Sequence, residues 1–258
     1  QNELLPPTYL SGAERYGGYY TQKEMKELIA YAQKRNVMII PEFDLPGHAR
    51  SSTAVFGDVT YGTHTDRRSA CGEFGSVWCV GKESNYRILE NIIKELADVF
   101  PSPYINIGGD EVVFDYWKQC PECQALMKKE GYKEVEELHG HFVRRMESII
   151  HKHGKVMMGW DDIQDFGGLR PTSTVVAWRS QKKGLESIKK GQPTVMMAGE
   201  YLYLDMQYSP AERGHNWAAV IPLERMYNYE PLQDLNLTPE EEKLMLGVQA
   251  GLWTELMQ

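Results

Sequence analysis

ILENIIKELADVFPSPYINIGGDE, residues 88–111, runs from an amphipathic helix through a short apolar strand into a turn of two glycines and two acids. Ile88, Leu89, Ile92, Ile93, Leu96 and Val99 recur at the spacing of one helix face, and Tyr104 to Ile107 reads as a strand behind it. The same order recurs on both sides. Upstream, Thr21-Gln22-Lys23-Glu24 is a capping box, followed by Met25, Leu28, Ile29 and Ala32 at helical spacing. Val37-Met38-Ile39-Ile40 then predicts a strand buried on both faces and stopped by Pro41. Downstream, Val135, Leu138, Phe142, Ile149 and Ile150 stripe a long helix that Gly154 can close, ahead of Val156 to Trp160. Further strands are predicted over 174–178, 194–198 and 246–253. A short helix near Leu185 to Lys190 separates the first two, and a long irregular excursion precedes the last.

Strands alternating with helices imply βαβ units and a parallel sheet, either a closed barrel or an open doubly wound sheet. No glycine-rich phosphate loop follows the first strands, which weighs against the open sheet. No linker, repeat or low-complexity tract divides the 258 residues, so one domain is the simplest expectation. The formal charge of −8 is spread without a basic run, which argues against a nucleic-acid partner. No stretch approaches the ~20 apolar residues of a membrane span, and Gln1 opens a polar segment with no targeting signal.

Four cysteines form two local pairs in the sequence, Cys71 with Cys79 and Cys120 with Cys123. Cys120-Pro121-Glu122-Cys123 resembles half of a metal knuckle. A four-ligand zinc site needs a second pair, and Cys71/Cys79 lacks the usual gap, so no metal is expected. The oxidation state of either pair is left open.

Polar and aromatic residues collect at the predicted strand ends: Asp44 and His48, Asp110 and Glu111, Trp160 with Asp161 and Asp162, Trp178, Tyr203 with Asp205, and Trp253 with Glu255. In a parallel barrel these ends share the rim where active sites lie. Indole faces beside carboxylates suit a sugar, whose apolar faces stack while its hydroxyls bond acids. The plainer reading of each tryptophan is a core residue. In Gly108-Gly109-Asp110-Glu111 the glycines permit a tight turn, and two adjacent acids in a confined site split their pKa values. The neutral one can act as general acid and the charged one can stabilise positive charge; the alternative is a turn with two solvated acids. His48 leaves a strand exit fixed by Pro41 and Pro46 and could tune the acid, or simply bond a backbone carbonyl.

PEFDLPGH (41–48), INIGGDEV (105–112), GWDD (159–162), AWRS (177–180), YLYLD (201–205) and GLWTE (251–255) together resemble, in order, the blocks of the β-N-acetylhexosaminidases of glycoside hydrolase family 20. The resemblance runs from about Gly17 to the end. It implies an α/β fold, a (β/α)8 TIM barrel incomplete in this chain. Strands 3 to 8 are expected, the first two βα units missing, and 1–258 is a partial catalytic domain. It also implies removal of terminal non-reducing N-acetylhexosamine with retention, the substrate's own acetamido group serving as nucleophile. By resemblance Glu111 is the general acid and then base, Asp110 orients the acetamido group and stabilises the oxazolinium, and Tyr203 bonds the acetamido oxygen. His48 partners the acid. Trp160, Trp178 and Trp253 wall the sugar, and Asp205 and Glu255 hold its outer hydroxyls. No cofactor is implied, the partner is a carbohydrate, and residence is secreted, periplasmic or lysosomal. One departure is Asn106, where the family usually has histidine; a fragment of this extent is expected to be inactive alone or to close its barrel only with help. Two rival classes remain: a metal-dependent barrel hydrolase built on Asp44, His48, Asp110 and Glu111, and a sugar-binding fragment without turnover.

Overall fold

The computed structural model describes residues 19–56, 59–60, 77–212, 214–233 and 235–253. They fall into two compact units, one from Tyr19 to Ser173 and one from Thr174 onward.

The first unit opens with α1 (Gln22–Gln33) at the expected capping box. The Thr21 hydroxyl accepts the Glu24 N–H at 3.2 Å, and the Glu24 carboxylate accepts the Thr21 N–H at 2.8 Å. Its buried face, Ile29 and Ala32, is narrow, and Ile29 clusters with Val99 and Phe100. After the short α2 (Arg50–Phe56), α3 (Glu83–Val99) buries Tyr86, Leu89, Ile93 and Val99. It leads into β1 (Tyr104–Asn106). Then come α4 (Asp115–Gln119), α5 (Pro121–Glu130), α6 (Glu137–Lys152) and β2 (Val156–Trp160). The two strands run parallel with Ile105 opposite Met157. Leu138, Phe142, Val143, Met146 and Ile150 of α6 are buried, as the apolar stripe requires. Buried Glu147 on the same helix accepts the Arg170 N–H at 2.7 Å and the Ser173 hydroxyl, which ties down the chain beyond β2.

The strand expected at Val37–Ile40 is displaced. Val37 and Met38 are 54% and 51% exposed. Parallel pairing with β1 starts at Pro41, whose carbonyl accepts the Asn106 N–H at 2.9 Å. Phe43 then donates to Asn106 and Leu45 to Ile107. Proline lacks a donor but keeps its acceptor, so Pro41 begins this pairing where a stop was expected. Among the described residues no strand flanks Val37 and Met38, which leaves them open. Neither α4 nor α5 was foreseen; the only buried side chain of α5 is Cys123, too little to make a stripe.

The second unit continues the alternation: β3 (Thr174–Ala177), α7 (Gln181–Lys189), β4 (Thr194–Met196), α8 (Gly199–Leu202), α9 (Leu223–Tyr227), α10 (Pro239–Glu242) and β5 (Met245–Val248). β3 pairs with β4, and β4 with β5, all parallel. Gly184 of α7 permits close packing: a Cβ there would stand 2.4 Å from Met196 Cε and 3.2 Å from Ala177 Cβ. The expected strand at 246–253 is shorter, and its later residues contribute a single bridge, Gly251 to Tyr203. Among the described residues no helix is long and apolar enough to cross a membrane.

Candidate active site

In the first unit, the 41–45 pairing and the backbone just beyond it bring Asp44 and His48 against the turn after β1. Gly108 and Gly109 take φ of +67° and +96°, the left-handed region glycine allows. Space demands glycine as well. A Cβ on Gly108 would lie 1.9 Å from Asp44 Oδ1, and one on Gly109 would lie 2.5 Å from Ile163 Cγ2. His48 and Glu111 also hold positive φ, +45° and +48°, uncommon for residues with side chains and characteristic of functional turns. The result is a compact charge array. His48 Nε2 stands 3.3 Å from Asp110 Oδ2 and 3.4 Å from Glu111 Oε2, and the Gly109 N–H points at Asp44 Oδ1, 3.4 Å away. Asn106 donates to Glu42 Oε2 at 2.9 Å and accepts the Gly108 N–H at 3.0 Å. Its amide thus holds both the turn and the neighbouring strand, without charge.

The protons in this array are placed by water loss and by neighbours. Asp44 is withdrawn from water and faces Asp110, which pushes its carboxyl up to about 9. His48, beside the Asp110 and Glu111 carboxylates, is pushed up to about 11 and is an imidazolium at neutral pH. The hydrogen bond from its ring, helped by its charge, holds Glu111 below the usual carboxylate range, against the opposing effect of burial. The Glu42 carboxyl, short of water although the residue as a whole is exposed, is pushed up to about 7. The charge of Asp110 adds to this, and the Trp160 indole opposes it. Glu111 was expected to be the neutral acid of the Asp110/Glu111 pair. In the free protein the neutral carboxyl is Asp44 instead, because the imidazolium lies against Glu111. Asp44, His48 and Asp110 could also place donor atoms around a cation, all within 4.8 Å of one another. That cation would have to displace the protons of His48 and Asp44.

The second unit gathers aromatic rings around Tyr203. This residue is 4% exposed, and its centroid lies 6.5 Å from Trp178, 5.3 Å from Trp217 and 6.5 Å from Trp253. Trp217 meets both Trp178 and Tyr203 edge-on. The Leu204 N–H donates to the Gly251 carbonyl at 2.7 Å, and the Gly251 N–H to the Leu202 carbonyl at 2.8 Å, which fixes Tyr203 beside the segment that carries Trp253. A Cβ on Gly251 would lie 2.4 Å from Met197 Cε and 3.2 Å from Trp253 Nε1, so a side chain there would displace the methionine tip.

His48, Asp110 and Glu111 are therefore brought together, as are Tyr203, Trp178 and Trp253. Trp160 ends β2 as expected but is only 3% exposed, so most of its surface is core. Asp205 follows Tyr203 in a turn and is half-buried. Glu255 and Cys71 lie outside the described residues. Sequence reasoning missed the Asn106–Glu42 contact, which joins residues 64 apart. It also missed Trp217, which lies in the irregular excursion with no periodicity to mark it.

Parallel α/β units with acids and aromatic rings at their strand ends place the chain in the α/β class, and comparison gives the family. The catalytic domain of glycosyl hydrolase family 20 matches residues 5–258, and the chain belongs to that family. It is 37% identical over 260 residues to a beta-hexosaminidase of Vibrio furnissii, covering 99% of this chain and 43% of that protein. It is 36% identical to one of Porphyromonas gingivalis, covering 94% and 31%. The crystal structure of an exo-β-N-acetylglucosaminidase from Vibrio harveyi in complex with N-acetylglucosamine superposes with a TM-score of 0.88. That match has 35% identity and covers 99% of this chain and 40% of that one. The chain thus spans less than half the length of these relatives, and its fold class is the α/β TIM barrel of their catalytic domains.

Proposed function

We propose that the natural protein containing this chain is a retaining exo-β-N-acetylhexosaminidase, that residues 1–258 are part of its catalytic domain, and that Asp110 and Glu111 perform the chemistry. The observation that carries the reading is the imidazole of His48 set between these two carboxylates at 3.3 and 3.4 Å. Support comes from the family, and from relatives whose names state hexosaminidase activity.

In this reading Glu111 protonates the glycosidic oxygen while the acetamido carbonyl oxygen of the same sugar attacks the anomeric carbon. The bond to the aglycone breaks and a cyclic oxazolinium forms. Asp110, ionised, holds the acetamido N–H and balances the positive charge. Tyr203 donates its hydroxyl to the acetamido oxygen. Glu111 then takes a proton from water, which opens the ring at the anomeric carbon with overall retention. In the free protein the mobile proton rests on His48. Glu111 has a side chain 54% exposed; once a sugar covers it, the loss of water favours its neutral form and draws the proton across from the imidazolium. Trp160, Trp178 and Trp253 wall the sugar, and Asp205 and Glu255 hold outer hydroxyls. No cofactor takes part. Residence is secreted, periplasmic or lysosomal.

The test compares chromogenic β-glycosides with and without the 2-acetamido group. Turnover confined to the N-acetyl sugars, with strong inhibition by a thiazoline that mimics the cyclic intermediate, is expected. Equal rates on glycosides lacking the acetamido arm would refute the mechanism.

A further inference from the structure

The three cysteines of the described residues meet in one place, although Cys79 is far in sequence from the other two. Cys79 Sγ lies 3.3 Å from Cys120 Sγ and 3.6 Å from Cys123 Sγ, and all three are buried. The three sulfurs lie within 4.8 Å of one another. We propose that Cys79, Cys120 and Cys123 form a site for a thiophilic divalent cation, zinc by geometry and ligand type. The fourth position goes to water or to the carboxylate of Glu122.

Four features of the fold favour this over three ordinary buried thiols. Two sulfurs bound to one tetrahedral zinc at about 2.3 Å stand roughly 3.8 Å apart, and the observed separations are close to that. A disulfide could satisfy only two of the three sulfurs and would strand the third, whereas a metal uses all of them. The approach of the two segments is also built in. Gly81 lies so close to α5 that a Cβ would stand 2.3 Å from the Glu122 carbonyl carbon and 2.7 Å from the Cys123 nitrogen. The backbone N–H groups of Gly81 and Lys82 point at Cys79 Sγ, as such groups do around a metal-bound thiolate.

The rest of the cradle is rigid. Cys120 is the N-cap of α5 and Cys123 lies in its first turn, so one helix end holds both sulfurs. The buried Asn85 amide donates to the Cys79 carbonyl and the Val59 carbonyl, each at 2.8 Å. Cys79 in turn donates its N–H to Val59, and the Tyr86 hydroxyl donates to Val80 at 3.0 Å. Glu122 Oε2 lies 3.3 Å from Cys120 Sγ, near enough to reach a shared cation after a rotamer change. Sequence reasoning found the Cys120/Cys123 half and lacked a partner for it. The fold supplies one ligand across 41 residues, where a second pair had been sought.

Binding is an exchange of protons for metal. Up to three thiol protons leave, one divalent cation enters, no electron moves, and no oxidant is required. The site would then staple the 77–81 loop to α5, the helix that follows Asp110 and Glu111 by one short helix.

The full-length protein, expressed with zinc in the medium and purified without chelator, is analysed by elemental mass spectrometry. One zinc per chain is expected. Cys120→Ser and Cys123→Ser should each weaken zinc binding about 100-fold or more. Cobalt(II) exchanged into the wild type should give the sulfur-to-metal charge-transfer band of thiolate ligation. Should the serine variants fail to fold, the wild-type cobalt spectrum and a competition titration with a chromophoric chelator decide by themselves. Zinc retained undiminished by folded serine variants overturns the site. So does wild-type protein that takes up neither zinc nor cobalt, or a disulfide between any two of these cysteines in mapped peptides.

Discussion

His48 Nε2 is nearly equidistant from Asp110 and Glu111, at 3.3 and 3.4 Å, so one imidazolium serves two carboxylates. The pair His48 and Glu111 shares one proton that the free protein keeps until the imidazole, pushed up to about 11, gives it up. Replacing His48 with glutamine leaves that proton on Glu111 alone, where an ordinary carboxyl loses it at far lower pH. The alkaline limb of kcat/KM should therefore move acidward by several pH units in His48→Gln. A profile unchanged on its alkaline side would show that His48 is not the reservoir.

Removing the proton donor itself has a different signature. Glu111→Gln should cut kcat by about 10²- to 10⁴-fold on substrates with a poor leaving group. The loss should shrink for an aglycone that departs without protonation, such as dinitrophenol. With a side chain 54% exposed, the change should leave thermal stability close to wild type. Equal losses across leaving groups would mean that Glu111 acts by position and not by proton transfer.

The glycines of the acid turn can be separated from glycines that merely take a left-handed φ. Gly131, at +74°, ends α5 with nothing within 4 Å of a Cβ, so Gly131→Ala should cost about 1 kcal/mol, the conformational penalty alone. Gly108→Ala adds a clash with half-buried Asp44 and should cost several times as much, together with activity. Urea denaturation of both variants measures the difference; comparable costs would mean that the Asp44 approach is looser than the geometry states.

Tyr203 and Trp217 should separate chemistry from binding. In the proposed reaction the Tyr203 hydroxyl aims the acetamido oxygen at the anomeric carbon, and Tyr203→Phe should lower kcat by about 10²-fold, the scale of a misplaced reacting group. Trp217 is 56% exposed and touches Trp178 and Tyr203 edge-on. Trp217→Ala should raise KM severalfold with a smaller effect on kcat, the loss of one aromatic contact being about 1 kcal/mol. Steady-state kinetics on one chromogenic N-acetylglucosaminide reads both; a Trp217 variant impaired only in kcat would contradict the division.

Much of this was legible in the residues because the signals were local. The capping box at Thr21, the stripes of α3 and α6, the glycine pair before Asp110 and the tryptophans at strand ends each declare themselves within one turn or one strand. What was not legible depends on distant partners. Val37 to Ile40 looks like a buried strand by composition, yet pairing starts at Pro41, since only the run of carbonyls and N–H groups beside β1 decides register. The neutral carboxyl could not be assigned either. Adjacency in sequence pointed at Asp110 and Glu111, whereas the proton goes to Asp44, 66 positions before Asp110 and brought beside it only by the fold. Cys79 found Cys120 and Cys123 for the same reason.

Asp44 gives the last test, through stability. Its folded value of about 9 lies above the ordinary 3.8, so between those limits the folded protein keeps a proton that the unfolded chain has released. Stability contributed by this group is therefore full below 3.8 and declines as pH rises toward 9. His48 acts in the same direction, but only above its ordinary value of 6.5 and through about 11, so it cannot account for a slope between pH 4 and 6. Glu42, raised from 4.5 to about 7, adds to that slope without replacing Asp44. Asp44→Asn keeps an acceptor for the Gly109 N–H and removes the titration. The fall in unfolding free energy between pH 4 and 6 should become shallower by up to about 1.4 kcal/mol per pH unit, one proton's worth. Denaturant titrations of the full-length protein and the variant across that window give the slopes; parallel curves would mean that Asp44 is ionised in the folded protein, and the neutral carboxyl beside His48 would have to be found elsewhere.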